Sequence, residues 1–270
     1  MTVPALVARP IAFLARAYVV HSPVAHGKGV IVRRVAPRLP LRYREFVAEL
    51  PGGGSIVLRF DEWVGRHYLL HGSSFDPAEL EFMRTALAPG RTAIDVGANV
   101  GVYTITAALC VGASGRVIAI EADEDYLPRL HAGLERNGLE NTELIAEAAG
   151  DADGEIELII AADGAFSSVK PLVAYAGTGA TRRVQQRQLD SIWDEAGQPA
   201  VAFVKIDVEG AEVDVIAGAE RLLRECRPAL VVEVRPEETE AEVRRRLEAL
   251  GYADVTPASF NPANRAYRPA

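Results

Sequence analysis

The run Ile94-Asp95-Val96-Gly97-Ala98-Asn99-Val100-Gly101 is the first place where residue types and spacing suggest chemistry. It joins an apolar strand to a glycine turn, and open α/β sheets bind ligands above such turns. The spacing Gly97-x-x-x-Gly101 is not the G-x-G-x-x-G of a nicotinamide or flavin site, and no lysine follows as a phosphate loop requires. Asp95 would repel a phosphate but attract an ammonium or sulfonium. Free N–H groups at the start of the next helix would take a carboxylate. A nucleoside ligand carrying both charges is S-adenosylmethionine. The next apolar strand ends in Glu121, 26 residues after Asp95, where a carboxylate can accept both hydroxyls of a ribose. The competing use of Glu121 is to favour the dipole of the helix that follows.

A second acidic group stands further along. Asp207 and Glu209 lie on the turn after the apolar run Ala202 to Ile206, and Glu233 ends the run Ala229 to Val234. Transfer of a methyl group from such a ligand needs the accepting atom aligned and, where it carries a proton, that proton removed. Neighbouring carboxylates raise one another's pKa, which suits a base working near neutral pH. They can equally hold a divalent metal such as magnesium through oxygen ligands. The blander alternatives are that Asp207 only touches the cofactor, and that Glu209 and Glu212 charge the first turn of a helix. His67 and His71 are expected on an extended segment, where residues four apart stand about 13 Å from each other, too far to share a metal. His131 reads as a solvated helix residue. Cys110 and Cys226 have no helix N-terminus or basic neighbour to activate them and read as structural.

The elements that must position these groups alternate strand and helix from residue 91 onward. Strands are expected at Thr92 to Val96, Arg116 to Ile120, Glu143 to Ala146, Glu155 to Ile160, Ala202 to Ile206 and Ala229 to Val234. Helices are expected from about Val100 to Val111, Asp125 to Asn137, Ala211 to Glu225 and Glu237 to Leu250. Apolar strands alternating with helices mean a parallel sheet covered on both faces. Upstream, Ser55 to Phe60 reads as a strand and Trp63 to Leu70 as extended. Asp76-Pro77-Ala78-Glu79 reads as a helix start with Asp76 as N-cap, Pro77 in the first turn and Glu79 completing a capping box. The segment Gly164 to Gln188 is polar and glycine-rich. Phe166-Ser167-Ser168, Tyr175 and Arg182-Arg183 would line an acceptor pocket or close as a lid, or the segment is a surface insertion with an edge strand at Arg182 to Leu189.

Composition narrows the class. The 270 residues are 49% hydrophobic and 24% charged, with two cysteines, enough for a real core without disulfides or a zinc ribbon. The net charge of -8 argues against a general nucleic-acid binder. Residues 1–50 nevertheless carry eight Lys/Arg against two acids, a net +6 that leaves -14 on the remainder. Arg9 and Arg16 interrupt the apolar leader, so a secretory signal is not expected. An amphipathic segment with Ile11, Leu14, Tyr18 and Val19 near one face is. It would pack on the acidic body or touch an anionic membrane or lipid-linked substrate. No apolar run approaches the roughly 20 residues of a membrane span, and a cytoplasmic location is expected.

Taken together these residues resemble the FkbM-like family of class I S-adenosylmethionine-dependent methyltransferases. The likeness is carried by Phe75-Asp76-Pro77, by Ile94 through Gly101 with Val102-Tyr103-Thr104, and by Glu121 and Leu189-Asp190. It continues in Lys205-Ile206-Asp207-Val208-Glu209-Gly210-Ala211-Glu212, Val215-Ile216-Ala217-Gly218-Ala219, Arg227-Pro228 and Val231-Val232-Glu233. It covers about residues 70–260. Where the family often carries a histidine after Glu233, this chain has Val234-Arg235-Pro236.

The resemblance implies an α/β fold with a Rossmann-like sheet of seven strands, the last antiparallel, whose final hairpin would be Tyr252 to Val255 and Arg265 to Tyr267. An accessory segment (residues 1–70) would precede the methyltransferase domain (71–270). It implies a cofactor site of Asp95, Gly97, Asn99, Gly101, Tyr103, Glu121 and Asp207, and O-methylation of a small-molecule or glycan acceptor, with Asp207, Glu209 and Glu233 as catalytic candidates. N-methylation and a non-catalytic nucleotide-binding role are the alternatives.

Overall fold

The computed structural model describes residues 10–11, 13–15, 17–18, 28–34, 44–59, 61–71, 75–161, 167–169, 177–234 and 237–270. Helix α1 (Lys28–Arg34) precedes a hairpin of β1 (Glu45–Glu49) and β2 (Ser55–Arg59), and α2 (Trp63–His71) and α3 (Pro77–Ala86) follow. The sheet region then runs β3 (Thr92–Val96), α4 (Val102–Val111), β4 (Arg116–Ile120), α5 (Leu127–Arg136) and β5 (Thr142–Ile145). Next come β6 (Ala148–Ala149), β7 (Gly154–Ala161), β8 (Gly177–Arg187), α6 (Leu189–Glu195) and β9 (Val201–Ile206). The chain closes with α7 (Glu212–Ala217), α8 (Glu220–Cys226), β10 (Ala229–Glu233), α9 (Glu237–Ala249), β11 (Tyr252–Asp254) and β12 (Asn264–Pro269).

Seven strands form one sheet in the order β11-β12-β10-β9-β3-β4-β5. The inner pairs are parallel, and β12 is antiparallel to both β10 and β11. This is the doubly covered sheet with a reversed last strand that the resemblance implied. Strand pleating sends alternate residues to opposite faces. On one face Ile94, Val96, Val204, Ile206, Leu230 and Val232 pack under α6 to α9. On the other Ala93, Phe203 and Val231 pack under α4 and the layer of Phe46, Ile56, Leu58, Leu80 and Met83. That second face also receives Asp95 and Lys205, which are register partners on adjacent strands. β6, β7 and β8 make a separate three-stranded sheet.

Three local expectations are corrected. Residues 63–70 are not extended but belong to helix α2. Its buried Val64 and Tyr68 are four apart, a helical rather than an alternating period. Gly65 lets the helix meet β2, because a Cβ there would lie 1.9 Å from the Arg59 carbonyl oxygen. Asp76 does precede a proline-started helix, but its backbone is left-handed (φ 43) and its side chain makes no cap hydrogen bond. The expected single helix from Ala211 to Glu225 is two. The break is at Gly218, where a Cβ would stand 2.0 Å from the Gly150 carbonyl oxygen, and Asp190 donates its N–H to the Gly218 carbonyl. The Asp190 carboxylate accepts the free N–H groups of Arg221 and Leu222 (3.0 and 2.9 Å), capping α8 from a distant element. Of the leader, the described Ile11, Phe13 and Leu14 are exposed, while Val19, like Phe166 and Tyr175, lies outside the described residues. Among the described residues no helix is long and apolar enough to cross a membrane.

Candidate active site

The turn after β3 is built by close backbone approach. Gly97 has φ 80, and a Cβ there would lie 1.8 Å from the Asp207 carbonyl oxygen on the neighbouring turn. Gly97 and Ala98 both donate their N–H to Ile120 at the end of β4 (2.9 and 3.0 Å). Asn99 adopts φ 50 and its Oδ1 accepts the Val100 N–H. Gly101 (φ 95) starts α4 against Leu130. The N–H groups of the turn are thus spent inside the protein, and only those of the uncharged first turn of α4 are left for a ligand.

Glu121 ends β4 beside that turn. Its two oxygens accept the N–H groups of Asn99 and Asp123, each at 2.7 Å. Burial pushes its pKa up to about 7 despite both hydrogen bonds. It lines a cleft of about 650 Å³ with Gly97, Asn99, Ala122, Glu147, Asp207 and Glu209. Ser167 and Ser168 reach across this cleft. The Ser167 hydroxyl donates to Asp123 Oδ2 (3.0 Å), and the Ser168 hydroxyl donates to the Glu209 carbonyl. Arg182 pairs with Asp123, Glu124 and Asp125, whereas exposed Arg183 faces Glu155.

A second cleft of about 660 Å³ opens on the same turn, sharing Gly97, Asn99, Asp207 and Glu209. Asp95, Glu233, Asp76 and Asn261 supply its polar wall, and Trp63, Phe75 and Tyr103 its aromatic one. Asp95 is buried and accepts the Thr104 hydroxyl. Burial raises its pKa to about 6, opposed by Thr104 and the Lys205 charge. Carboxylate oxygens of Asp207, Glu209 and Glu233 all lie within 4.8 Å of one another. The Asp207 N–H is held by the Val96 carbonyl (2.9 Å), and Glu209 sits on a left-handed backbone (φ 52). Glu212 does not face solvent as a helix-start charge would. It is buried, accepts the Gly210 N–H at 2.8 Å, and has its pKa raised by burial to about 7.

Lys205 also lines the second cleft with Asn264 buried against it, a pair that strand and turn patterns did not single out. Lys205, buried in β9, carries its ammonium 3.6 Å from Asp207 Oδ2, 3.3 Å from Asn264 Oδ1 and 5.2 Å from the Tyr103 ring centroid. Asn264 is buried and donates to Asp76 Oδ2 (3.3 Å) and Glu79 Oε1 (3.2 Å). The Tyr103 hydroxyl donates to Asp76 (3.1 Å). The usable signal was a lysine inside an otherwise apolar strand, which demands a buried partner. Outside the clefts one expectation is corrected: Cys110 does have a basic neighbour, Arg84, whose effect is outweighed by burial. His131 is exposed beside Glu135, and Cys110 and Cys226 are half-buried free thiols. Burial raises the Cys110 pKa, the opposite of activation.

A seven-stranded, mostly parallel sheet with one reversed strand beside its edge is the class I methyltransferase architecture. The profile of the methyltransferase FkbM domain matches residues 95–253, more than half of the chain. The chain therefore belongs to the FkbM methyltransferase family. Among solved structures it is similar to a methyltransferase FkbM from Methylobacillus flagellatus KT, at 17% identity and TM-score 0.48, covering 76% of this chain and 52% of that one. This chain thus spans about half the length of that protein. A putative methyltransferase from Streptococcus mutans in complex with SAH aligns at 12% identity and TM-score 0.44, over 70% of this chain and 93% of that one. A SAM-dependent O-methyltransferase from Thermotoga maritima aligns at 12% identity and TM-score 0.43, over 83% and 78%. No curated protein matches the chain.

Proposed function

We propose that this chain moves the methyl group of S-adenosylmethionine to a hydroxyl of a small-molecule or glycan acceptor. The observation that carries the reading is the meeting of two clefts at one glycine turn, with Glu121 in one and the Asp207, Glu209 and Glu233 carboxylates in the other. The donor set suits such a cofactor. Gly97 lets the Asp207 carbonyl oxygen sit where a Cβ would be, which brings the two turns together between the clefts. Glu121 keeps lone pairs for ribose hydroxyls beyond the two N–H groups it accepts. Asp95 suits a cationic group, and the start of α4 suits a carboxylate. When bound, the cofactor supplies an already activated methyl on a sulfonium.

The chain's own residues do the rest. Trp63, Phe75 and Tyr103 exclude water from the acceptor side, and their ring faces suit the apolar faces of a sugar or a polyketide ring. Asp207 or Glu233 takes the hydroxyl proton as the acceptor oxygen bonds to carbon. The same acidic wall suits an amine acceptor, so acceptor trials include amines.

The test is isothermal titration with S-adenosylhomocysteine, with and without magnesium. Micromolar binding is expected. No binding by folded protein would overturn the cofactor reading. Tighter binding with magnesium would assign the three carboxylates a divalent cation. The basic leader with exposed Phe13 and Leu14 fits peripheral contact with an anionic lipid surface. Flotation of the full chain with phosphatidylglycerol vesicles, and none with phosphatidylcholine alone, is the outcome that reading requires.

A further inference from the structure

The floor of the second cleft has an unusual charge balance. Asp76, Asp95, Asp207 and Glu233 all act on one point, the Lys205 ammonium. That ammonium is buried at the end of a four-carbon stem inside the sheet, with about 1% exposure. Burial disfavours its charge, but the Asp207 carboxylate 3.6 Å away and the three other carboxylates lining the same cleft favour it. It is also held in place. Asn264 accepts from it at 3.3 Å, and spends its own amide on Asp76 and Glu79. Asn264 sits opposite Glu233 in the β10–β12 register, so two strands fix the arrangement.

Four carboxylates without this cation would give the cleft a strong preference for a positively charged ligand over a neutral one. Methyl transfer runs the other way. As the carbon–oxygen bond forms and the carbon–sulfur bond breaks, the electron pair stays on sulfur and a sulfonium becomes a neutral thioether. A site that holds the cation too well stabilises the reactant over the transition state and so opposes that step.

We propose that Lys205, anchored by Asn264, is a positioning residue that fixes the Asp207 carboxylate and offsets the acidic floor, so that the cleft does not favour the cationic methyl donor over its neutral product. The inference rests on the S-adenosylmethionine reading of the site. It assigns a role to the lysine of the Lys205-Ile206-Asp207 run that differs from general-base chemistry, because an ammonium ion-paired with Asp207 has no lone pair to take a proton.

The experiment is calorimetric titration of the full chain at pH 8 with S-adenosylmethionine and, separately, with S-adenosylhomocysteine. The two wild-type dissociation constants are expected to agree within about tenfold. In Lys205→Met, removal of one buried unit charge should shift their ratio about tenfold toward the sulfonium. A merely structural lysine would weaken both ligands together and leave the ratio unchanged, which would overturn the proposal. If Lys205→Met does not fold, the wild-type ratio still decides. A preference for the sulfonium above about a hundredfold would show that the acidic floor is not offset. Binding of neither ligand by folded wild type would instead bring down the cofactor reading, and this inference with it.

Discussion

Glu121→Gln separates a carboxylate that braces a turn from one kept for a ligand. In the native fold the carboxyl is raised from an ordinary 4.5 to about 7, so at pH 8 its charge is carried at a cost of about 3 kcal/mol relative to the protonated form. The amide removes that cost. It also turns an N–H donor toward one of the two backbone N–H groups that Glu121 accepts at 2.7 Å, which costs about 1–3 kcal/mol. The two effects nearly cancel, so the variant's thermal midpoint at pH 8 should stay within about 5 °C of wild type. Cofactor affinity has no such compensation. A charged acceptor of two ribose hydroxyls becomes a neutral acceptor of one, and S-adenosylhomocysteine should bind about 30- to 100-fold more weakly.

Proton linkage adds a signature. The native carboxyl holds its proton up to about 7 while the unfolded chain releases it near 4.5, so this group's contribution to wild-type stability falls as pH rises through that window. The variant lacks that fall and should gain on wild type between pH 5 and pH 8. Differential scanning calorimetry and titration calorimetry on the same samples read both quantities. A midpoint more than about 10 °C lower, with unchanged affinity, would refute the reasoning and make Glu121 a brace.

Other substitutions follow from single contacts. Gly97→Ala would drive a Cβ to 1.8 Å from the Asp207 carbonyl oxygen at a backbone with φ 80; a loss of at least about 3 kcal/mol in urea unfolding and of S-adenosylhomocysteine binding is expected. Asp190→Ala should cost about 1–2 kcal/mol by uncapping α8, with S-adenosylhomocysteine affinity unchanged by calorimetry. Asp207→Asn should lower turnover of an identified acceptor at least about 100-fold while S-adenosylhomocysteine still binds; full turnover would remove Asp207 from proton transfer.

The glycine turn was legible because backbone geometry demands glycine there: Gly97 and Gly101 both take positive φ against close neighbours. The acidic strand ends were legible because Glu121 and Glu233 break apolar runs at the end of a strand, where α/β sheets bind their ligands. The convergence of Asp207, Glu209 and Glu233 within 4.8 Å was only half legible, since a one-dimensional pattern places strand ends but not the crossover order that makes β9 and β10 neighbours. Lys205 and Asn264 were missed as a pair because 59 residues separate them. The helix at Trp63–His71 was missed because a short aromatic and aliphatic run fits either period until Gly65 is seen against Arg59. The break at Gly218 likewise depends on Gly150, a partner from another element.

Asp95, Lys205 and Asn264 meet across strands that stand together only once the sheet has closed from β3 to β12. No fragment ending before the last hairpin contains the whole constellation. A cofactor that needs this constellation would bind the finished fold and not its precursors, so its occupancy would report sheet completion. By mass action, a concentration 100 times its dissociation constant would add about 2.7 kcal/mol to the folded state alone. In a cell with ample methyl donor, chains that reach the last strand would be drawn off from the folding ensemble and shielded from proteolysis, while chains stalled one hairpin short would gain no such protection.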